Sequence, residues 1–191
     1  MIASCIIFLA TLSPSMDESH IIDMYMKCND TVPEVMQQHA ELYYEFFEEE
    51  NISTAIRIGW CESRGNHKAV RTSEGNNDTG VMQFVPWTWN WLAEMGYVPY
   101  WNTWVVMYRG RPYTKQEVSK TNVGFKMAQA QKTAYWNIKA SSILAEEVYG
   151  KTQWRDWSSS QNCWENETKW HKLWKEEQYG WTNSGFVFPS N

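Results

Sequence analysis

The sequence lacks several patterns that would each point to a familiar class of protein. Its four cysteines form no C-x-x-C pair, so the spacing of a tetrahedral zinc site is absent. No basic stripe is present, and 22 acidic against 17 basic residues give a formal charge of −5, which argues against nucleic-acid binding. No apolar run approaches the roughly 20 residues that a membrane-spanning helix needs. A nucleophile triad and a phosphate-binding loop are also missing, so we expect no metal, no cofactor and no integral membrane span.

The chain of 191 residues is long enough for one domain with its own core, and no internal repeat divides it. Residues 2–12 form a short apolar run before Ser13-Pro14-Ser15, which favours the hydrophobic part of a secretory signal cut before Met16. No Lys or Arg precedes the run, and a helix packed on the domain is the alternative. We therefore separate a signal-like or helical segment, 1–15, from a single domain, 16–191, with a core at about 31–164 and a C-terminal helix and tail at 165–191.

Aromatic residues are the most unusual feature that is present: thirteen Trp, ten Tyr and seven Phe. Most of these rings are expected in the core. A minority fit a second use, because flat rings in a cleft stack on the faces of sugars. We expect one or two of the following to line such a cleft: Trp87, Trp89, Trp91, Trp101 and Trp104.

One carboxylate, Glu62, stands at the end of a predicted buried helix. The apolar residues before it recur every three or four positions, which predicts one buried face made by Ile52, Ala55, Ile56, Gly59 and Trp60. Gly65-Asn66 end the helix, and a polar loop or short hairpin follows to Thr79. Glu62 is therefore expected to be partly desolvated and still able to reach a ligand. The next segment, Gly80–Phe84, leads into a helix from Pro86 to near Gly96.

The remaining chain is predicted to be mostly helical. A helix is expected from Thr31 to about Glu50, with the acidic run 48–50 as a solvated face at the wrong end for the helix dipole. Residues 97–113 have the least helical composition and fit an insertion or a short β-ribbon. Further helices are predicted from a capping box at Thr114, over 125–136, over 137–149 and over 165–178, with a Trp-dense loop at 154–164. The fold class is thus mainly α with at most a small β element.

The order of the motifs resembles that of a known enzyme family. C-E-S-R-G-N-H-K-A-V, a polar loop, G-V-M-Q-F-V-P-W-T-W, W-N-I-K-A and a W-x-x-W before a cysteine follow one another along the chain. This order resembles the soluble lytic transglycosylase branch of the lysozyme-like superfamily, which includes phage proteins that degrade cell walls. The matching positions are Glu62, Ser63, Asn66 and Ala69 in the first motif, Gly80, Val81, Met82, Gln83, Pro86, Thr88 and Trp89 in the second, and Asn137 and Ile138 in a later helix.

The resemblance is strong over about 52–92 and thinner over 135–164. The family's third motif, A-Y-N-x-G, is absent, and Trp154, Trp157 and Cys163-Trp164 occupy the corresponding region. The segment from about 97 to 134 is also longer than the corresponding part of the compact family core. The tyrosine that assists the acid in many members of the family is therefore unassigned.

The resemblance implies a lysozyme-like α+β fold, with a helical bundle around a glycan cleft that takes the glycan strands of peptidoglycan. Glu62 would be the single catalytic residue, and the implied substrate-binding residues are Ser63, Gly80, Met82, Gln83, Trp89 and Tyr135. Because Cys61 and Cys163 fall in the matching segments, the resemblance favours a disulfide between them. It implies a monomer that is secreted or periplasmic, or associated with a virion or a cell envelope.

By the same resemblance, Glu62 would protonate the glycosidic oxygen, which requires a raised pKa and an apolar wall such as Trp60, Met82 and Phe84. The carboxylate would then deprotonate the C6 hydroxyl of N-acetylmuramic acid, giving a 1,6-anhydro product without water. Hydrolysis by a lysozyme mechanism is one alternative and needs a second acid, for which Glu74 and Asp78 are candidates. A non-catalytic glycan-binding or structural virion module is the other. His67 is expected to be structural, because no other His is close in the sequence.

Overall fold

The computed structural model describes residues 1–13, 15–73, 76–113, 125–149 and 154–179, with the side chains of 73, 76, 178 and 179 excepted. The α-helices of this part are α1 (Ile2–Ala10), α2 (Glu18–Thr31), α3 (Glu34–Gln37), α4 (Ala40–Phe46), α5 (Glu49–Ser63), α6 (Pro86–Glu94), α7 (Ala134–Ser142), α8 (Gln161–Trp164) and α9 (Glu167–Tyr179). A π-helical segment, Ile143–Val148, continues α7, and 3-10 turns span Ala130–Lys132 and Arg155–Ser160. The strands are β1 (Val70–Ser73), β2 (Asn76–Thr79), β3 (Trp104–Tyr108), β4 (Arg111–Tyr113) and β5 (Lys126–Gln129).

Helix α5 forms the centre of the core, as its apolar spacing predicts. Its fully or nearly fully buried residues include Ile52, Ala55, Ile56, Ile58 and Trp60. Gly59 lies against Tyr43 so closely that a Cβ at this position would stand 2.6 Å from the tyrosine hydroxyl. The absence of a side chain at Gly59 therefore lets α4 and the Gly80–Phe84 segment approach α5.

The predicted continuous helix from Thr31 to Glu50 is wrong, because the chain breaks twice within it. His39 has non-helical dihedral angles between α3 and α4, and Phe47 and Glu48 are extended before α5 begins at Glu49. Phe47 is buried by this turn and stacks on Tyr43. The acidic run 48–50 consequently lies at the start of α5, where carboxylates interact favourably with the helix dipole. The prediction that this run stands at the unfavourable end of a helix is therefore wrong.

Helix α1 packs in the core against α4 and α5, with Ile2 and Ile6 buried. A disulfide joins Cys5 in α1 to Cys28 in α2. No helix in the described part of the chain combines the length and the apolar character that crossing a membrane requires.

Two small antiparallel sheets complete an otherwise helical structure, which confirms the mainly α fold class. Strands β1 and β2 form the predicted hairpin, with Arg71 opposite Asp78. The second sheet has the order β4-β3-β5, and β3 and β4 account for the ribbon expected in 97–113. The helix predicted over 125–136 is wrong in its first part, because residues 126–129 pair with β3, and it begins only at Ala134. The helix predicted from Thr114 lies outside the described residues.

The C-terminal region folds back over α5. The predicted Trp-dense loop is instead a 3-10 turn followed by α8, and it buries Trp154, Trp157 and Trp164. The predicted last helix is confirmed as α9, whose Trp170 and Trp174 are buried and stacked. A disulfide joins Cys61 in α5 to Cys163 in α8, as the resemblance predicted. The end of α5, which carries Glu62, is thus fixed covalently to the C-terminal region.

Gly80 allows the closest contact between the second motif and α7. Its φ is +92°, and a Cβ there would overlap the side-chain nitrogen of Asn137 and stand 2.8 Å from the carbonyl oxygen of Gln131. Only glycine meets both the backbone and the steric requirement at this position.

Replacing Gly80 by Ala is expected to lower the free energy of unfolding by about 3 kcal/mol, since the new methyl group must displace Asn137 while the backbone keeps an unfavourable conformation. Gly96→Ala is the matched control, because Gly96 has a similar φ of +83° and a Cβ added there would meet nothing within 4 Å. It should cost only the backbone part, about 1–2 kcal/mol. Urea unfolding of both variants measures the difference, and equal losses would contradict the steric role of Asn137.

Candidate active site

Glu62 lies in the last turn of α5, as predicted. The helix ends at Arg64, which adopts the left-handed conformation with φ of 56°, and Gly65 follows with φ of 75°. The backbone therefore turns away directly after Glu62. Its side chain is only 4% exposed, which is unusual for a glutamate.

Four effects shift the pKa of the Glu62 carboxyl: burial, Ser160, Arg71 and Asp78. Burial raises the pKa of its carboxyl above the usual value, and the hydrogen bond from Ser160 and the charge of Arg71 act in the opposite direction. The negative charge of Asp78 raises the pKa further. Because burial is the largest of these effects, the structure favours a protonated Glu62 over a wider pH range than an exposed glutamate would have.

Arg71 connects Glu62 to Asp78 across the β1–β2 hairpin. Its Nη2 lies 2.9 Å from Asp78 Oδ2 and 4.0 Å from Glu62 Oε2, so Asp78 is its main partner. Asp78 is nearly buried, and among the described residues its Oδ1 has no hydrogen-bond partner. The site therefore contains two buried carboxyls and one half-exposed guanidinium.

The Gly80–Phe84 segment is held beside Glu62 by hydrogen bonds to its backbone. The Ser63 hydroxyl donates to the carbonyl oxygen of Val81 at 2.8 Å. The Met82 N–H donates to Asn137 Oδ1 at 2.7 Å, and Trp157 Nε1 donates to the Met82 carbonyl oxygen at 2.8 Å. Asn137 belongs to the thinner part of the resemblance, and Trp157 stands in the region where the third motif is absent.

Several predicted substrate-binding side chains have structural contacts instead. Met82 and Trp89 are both 0% exposed: the Tyr43 hydroxyl points to the sulfur of Met82, and Trp89 Nε1 donates to the Pro99 carbonyl oxygen. The Trp89 ring presents no surface to a ligand in this structure, so the expectation that it stacks on sugar is not met. Ser63 donates its single hydroxyl proton to backbone oxygen.

Gln83 and Tyr135 also have defined surroundings. The Gln83 amide donates to the carbonyl oxygens of Gly80 at 2.8 Å and Ala69 at 3.3 Å, which shapes the loop. Tyr135 packs edge-to-face on Phe46 in α4. Burial raises the pKa of the Tyr135 hydroxyl, with a further contribution from the charge of Glu45. No contact in the described part of the chain brings Tyr135 to Glu62.

A cleft of about 470 Å³, which we call the aromatic cleft, opens next to the Gly80–Phe84 segment. It is lined by Met82, Gln83, Phe84, Val85, Trp87, Thr88, Trp91, Tyr149, Arg155, Asp156 and Trp157. Trp87 is 74% exposed, and its ring is nearly parallel to that of Trp91, at 11° with centroids 6.4 Å apart. Trp91 in turn stacks on Tyr149. These three rings line the cleft as one stack, and Trp87 is the most exposed of them.

The other two stacking candidates lie elsewhere. Trp101 is partly buried against Trp89, and Trp104 is exposed on β3 and does not line the aromatic cleft. Of the five candidates, Trp87 and Trp91 therefore line this cleft.

Sequence reasoning missed three residues of the aromatic cleft: Tyr149, Arg155 and Asp156. The Arg155 guanidinium lies over the Tyr149 ring at 4.1 Å, and the Asp156 side chain is 26% exposed. Burial raises the pKa of the Asp156 carboxyl. The sequence feature that could have indicated Arg155 and Asp156 is the pair of opposite charges between two tryptophans in W-R-D-W.

Glu62 lies close to the aromatic cleft without lining it. Trp157 lines the cleft, and Ser160, one turn further on, hydrogen-bonds to Glu62. The Ser160 oxygen also lies 3.1 Å from the Trp157 carbonyl oxygen. The 3-10 turn 155–160 therefore contacts both the Glu62 carboxyl and the aromatic cleft.

His67 has a partner that its sequence context did not indicate. The rings of His39 and His67 meet edge-to-face with centroids 6.0 Å apart. Burial lowers the pKa of His39 to about 4 and also lowers the pKa of His67. In the described part of the chain, no three His, Cys, Asp or Glu side chains are grouped so that they would hold a metal ion.

No protein-family model, no curated protein and no solved structure matches this chain. The membership of the lysozyme-like superfamily therefore stays a prediction from the motifs.

Two substitutions are expected to move the pKa of Glu62 in opposite directions. Arg71→Gln removes a positive charge and leaves Asp78 uncompensated, so the pKa of Glu62 should rise. Asp78→Asn removes a negative charge and frees Arg71 for Glu62, so the same pKa should fall. A pH titration of the Glu62 carboxyl carbon by NMR measures both. Lys169→Gln, on the exposed side of α9, is the control and should leave it unchanged. Shifts in the same direction would contradict the described network.

Proposed function

We propose that this protein is a lytic transglycosylase that cleaves the β-1,4 bond between N-acetylmuramic acid and N-acetylglucosamine in peptidoglycan. The observation that carries the proposal is the buried carboxyl of Glu62, whose pKa is raised next to an aromatic cleft. A general acid that works near neutral pH needs such a pKa, and a glycan needs exposed rings and hydrogen-bonding groups beside the acid.

In the proposed reaction, protonated Glu62 donates its proton to the glycosidic oxygen as the bond from this oxygen to C1 of the muramic acid breaks. The carboxylate then accepts the proton of the C6 hydroxyl of the same sugar. The C6 oxygen forms a bond to C1, which gives a 1,6-anhydro end and restores protonated Glu62. One carboxyl is sufficient, and no water is consumed.

Arg71 is the group through which a substrate would reach Glu62. Its side chain is 56% exposed while that of Glu62 is 4% exposed, and its Nη2 lies 4.0 Å from the carboxyl on the hairpin side. A sugar that displaces the guanidinium toward Asp78 would remove the charge that opposes protonation of Glu62. Substrate entry would then raise the pKa of Glu62 further at the moment when the acid is needed.

Hydrolysis is the second candidate, and Asp78 is the observation that favours it. Its charge acts on Glu62, it shares Arg71 with Glu62, and among the described residues its Oδ1 is without a hydrogen-bond partner. A carboxylate in this position is suited to orient a water molecule or to stabilise a sugar cation. Glu74, the other candidate for a second acid, lies outside the described residues.

The two disulfides support a location outside the reducing cytosol. This agrees with the proposal of a secreted, periplasmic or virion-associated protein whose partner is the glycan strand of the cell wall.

Glu62→Gln is expected to reduce the rate of cell-wall digestion by at least about 100-fold, because it removes the general acid and keeps the shape of the side chain. The rate is measured as release of soluble muropeptides. Glu94→Gln, an exposed carboxylate on α6, is the matched control and should leave the rate unchanged. Full activity of the Glu62 variant would contradict the proposed acid, and glycan binding without any product from the unsubstituted protein would indicate a non-catalytic module.

The mass of the muropeptides separates the two reactions. Transglycosylation gives 1,6-anhydro ends, and hydrolysis gives reducing ends that are heavier by one water. We expect anhydro ends from the unsubstituted protein and from Asp78→Asn, with the pH limit of the Asp78 variant moved to lower pH. Reducing ends, together with loss of activity in Asp78→Asn, would establish hydrolysis.

A further inference from the structure

A second and larger depression, which we call the basic groove, lies between the helices α2–α4 and the β3–β5 sheet. Its volume is about 1360 Å³, above the range of about 300–1,000 Å³ that is usual for sites of single small molecules. It therefore has room for an extended, oligomeric ligand.

The charge of the basic groove is opposite to that of the whole protein. Five Lys or Arg line it against two Glu, whereas the chain carries −5. Arg111 is paired with Glu45 at 2.7 Å and lies 3.8 Å from Glu41. Among the described residues, the other four cations have no ion-pair partner, and they are Lys68, Arg109, Lys126 and Lys132. His39 and His67 also line the groove, but burial lowers the pKa of each, so they add no charge near neutral pH.

The four cations come from four different parts of the fold. Lys68 follows the end of α5, Arg109 occupies the turn between β3 and β4, Lys126 begins β5, and Lys132 ends a 3-10 turn. Between them the groove presents apolar and amide groups, which are Leu42, Met107, Met127, Gln37 and Gln38. This mixture of cations with apolar and amide groups fits a chain that carries carboxylates and small apolar side chains better than a phosphate polymer, which offers uniform charge and little apolar surface.

One short loop connects the basic groove with the aromatic cleft. His67 and Lys68 line the groove, while the carbonyl oxygen of the next residue, Ala69, accepts hydrogen bonds from the Gly80 N–H at 2.9 Å and from Gln83 at 3.3 Å. Gln83 lines the aromatic cleft. Residues 67–69, directly after the helix that carries Glu62, therefore line the basic groove and contact the cleft-lining Gln83.

From this arrangement we infer that the basic groove binds the carboxylate-bearing peptide stems of peptidoglycan while the glycan strand occupies the aromatic cleft. The inference rests on the proposed function, since that function supplies a glycan with short acidic peptides branching from it. A branched polymer needs two neighbouring depressions near the cleaved bond, and the loop 66–69 contacts both.

The test is calorimetric titration of the protein with a synthetic stem peptide that carries free carboxylates and no sugar. The double variant Lys68→Glu/Lys132→Glu should bind this peptide at least about tenfold more weakly, since two attractive charges become repulsive. Lys169→Glu/Lys172→Glu on α9 changes the net charge equally outside the groove and should bind within about twofold of the unsubstituted protein. The same peptide with every carboxylate amidated should not bind.

Equal affinity of the groove variant, or binding of the amidated peptide, would overturn the inference. Tighter binding of inorganic polyphosphate than of the peptide would assign the groove to phosphate polymers and would overturn it as well. Because the peptide has no glycosidic bond, the outcome is independent of cleavage. Peptide binding without wall digestion would defeat the proposed function alone, and wall digestion without peptide binding would defeat the inference alone.

Discussion

The side-chain amide of Asn137 is the interaction on which the site depends. It is fully buried on α7, where its oxygen accepts from the Met82 N–H and its nitrogen donates to the carbonyl oxygens of Thr79 and Gln131. One amide thus joins the end of β2, the second motif and the turn before α7. The Thr79 carbonyl oxygen also accepts from the Phe84 N–H at 3.0 Å, but the Met82 N–H depends on Asn137, and leaving it unpaired would be costly in a low-dielectric interior. The requirement for glycine at position 80 follows from the closeness of this amide.

The polar groups around Glu62 differ from those around Asn137, because one cation, Arg71, is shared unequally by two carboxyls, Asp78 and Glu62. A guanidinium placed 2.9 Å from Asp78 and 4.0 Å from Glu62 neutralises the first carboxyl more than the second. An ion pair at equal distances would favour the charged form of Glu62 more strongly. The covalent link from Cys61 to Cys163 holds the end of α5 against the segment that supplies Ser160, so this geometry is maintained by the backbone.

Features with a local physical cause could be predicted from the sequence, whereas features set by distant contacts could not. The apolar period of α5, the glycine that follows it and the proline that opens α6 are local signals, because each depends on residues close together in the chain. The structure contains the helix, its end and the second helix that these signals predict. Residues 126–129 look helical by composition but pair with β3, because the ribbon offers unpaired backbone groups there. Trp87 and Trp89 are indistinguishable by type, and only the packing of α6 decides that the first is exposed and the second buried.

The spatial distribution of charge also could not be predicted from the sequence, and it determines how the protein would attract a charged ligand. A net charge of −5 gives no long-range attraction to an anionic polymer, and at physiological salt charges are screened beyond about 8 Å. The cations of the basic groove act only within that distance, and one of them, Lys68, lies in the loop that also contacts Gln83 of the aromatic cleft. Attraction is then confined to ligands that already fit the groove, so charge contributes to selectivity more than to the rate of encounter.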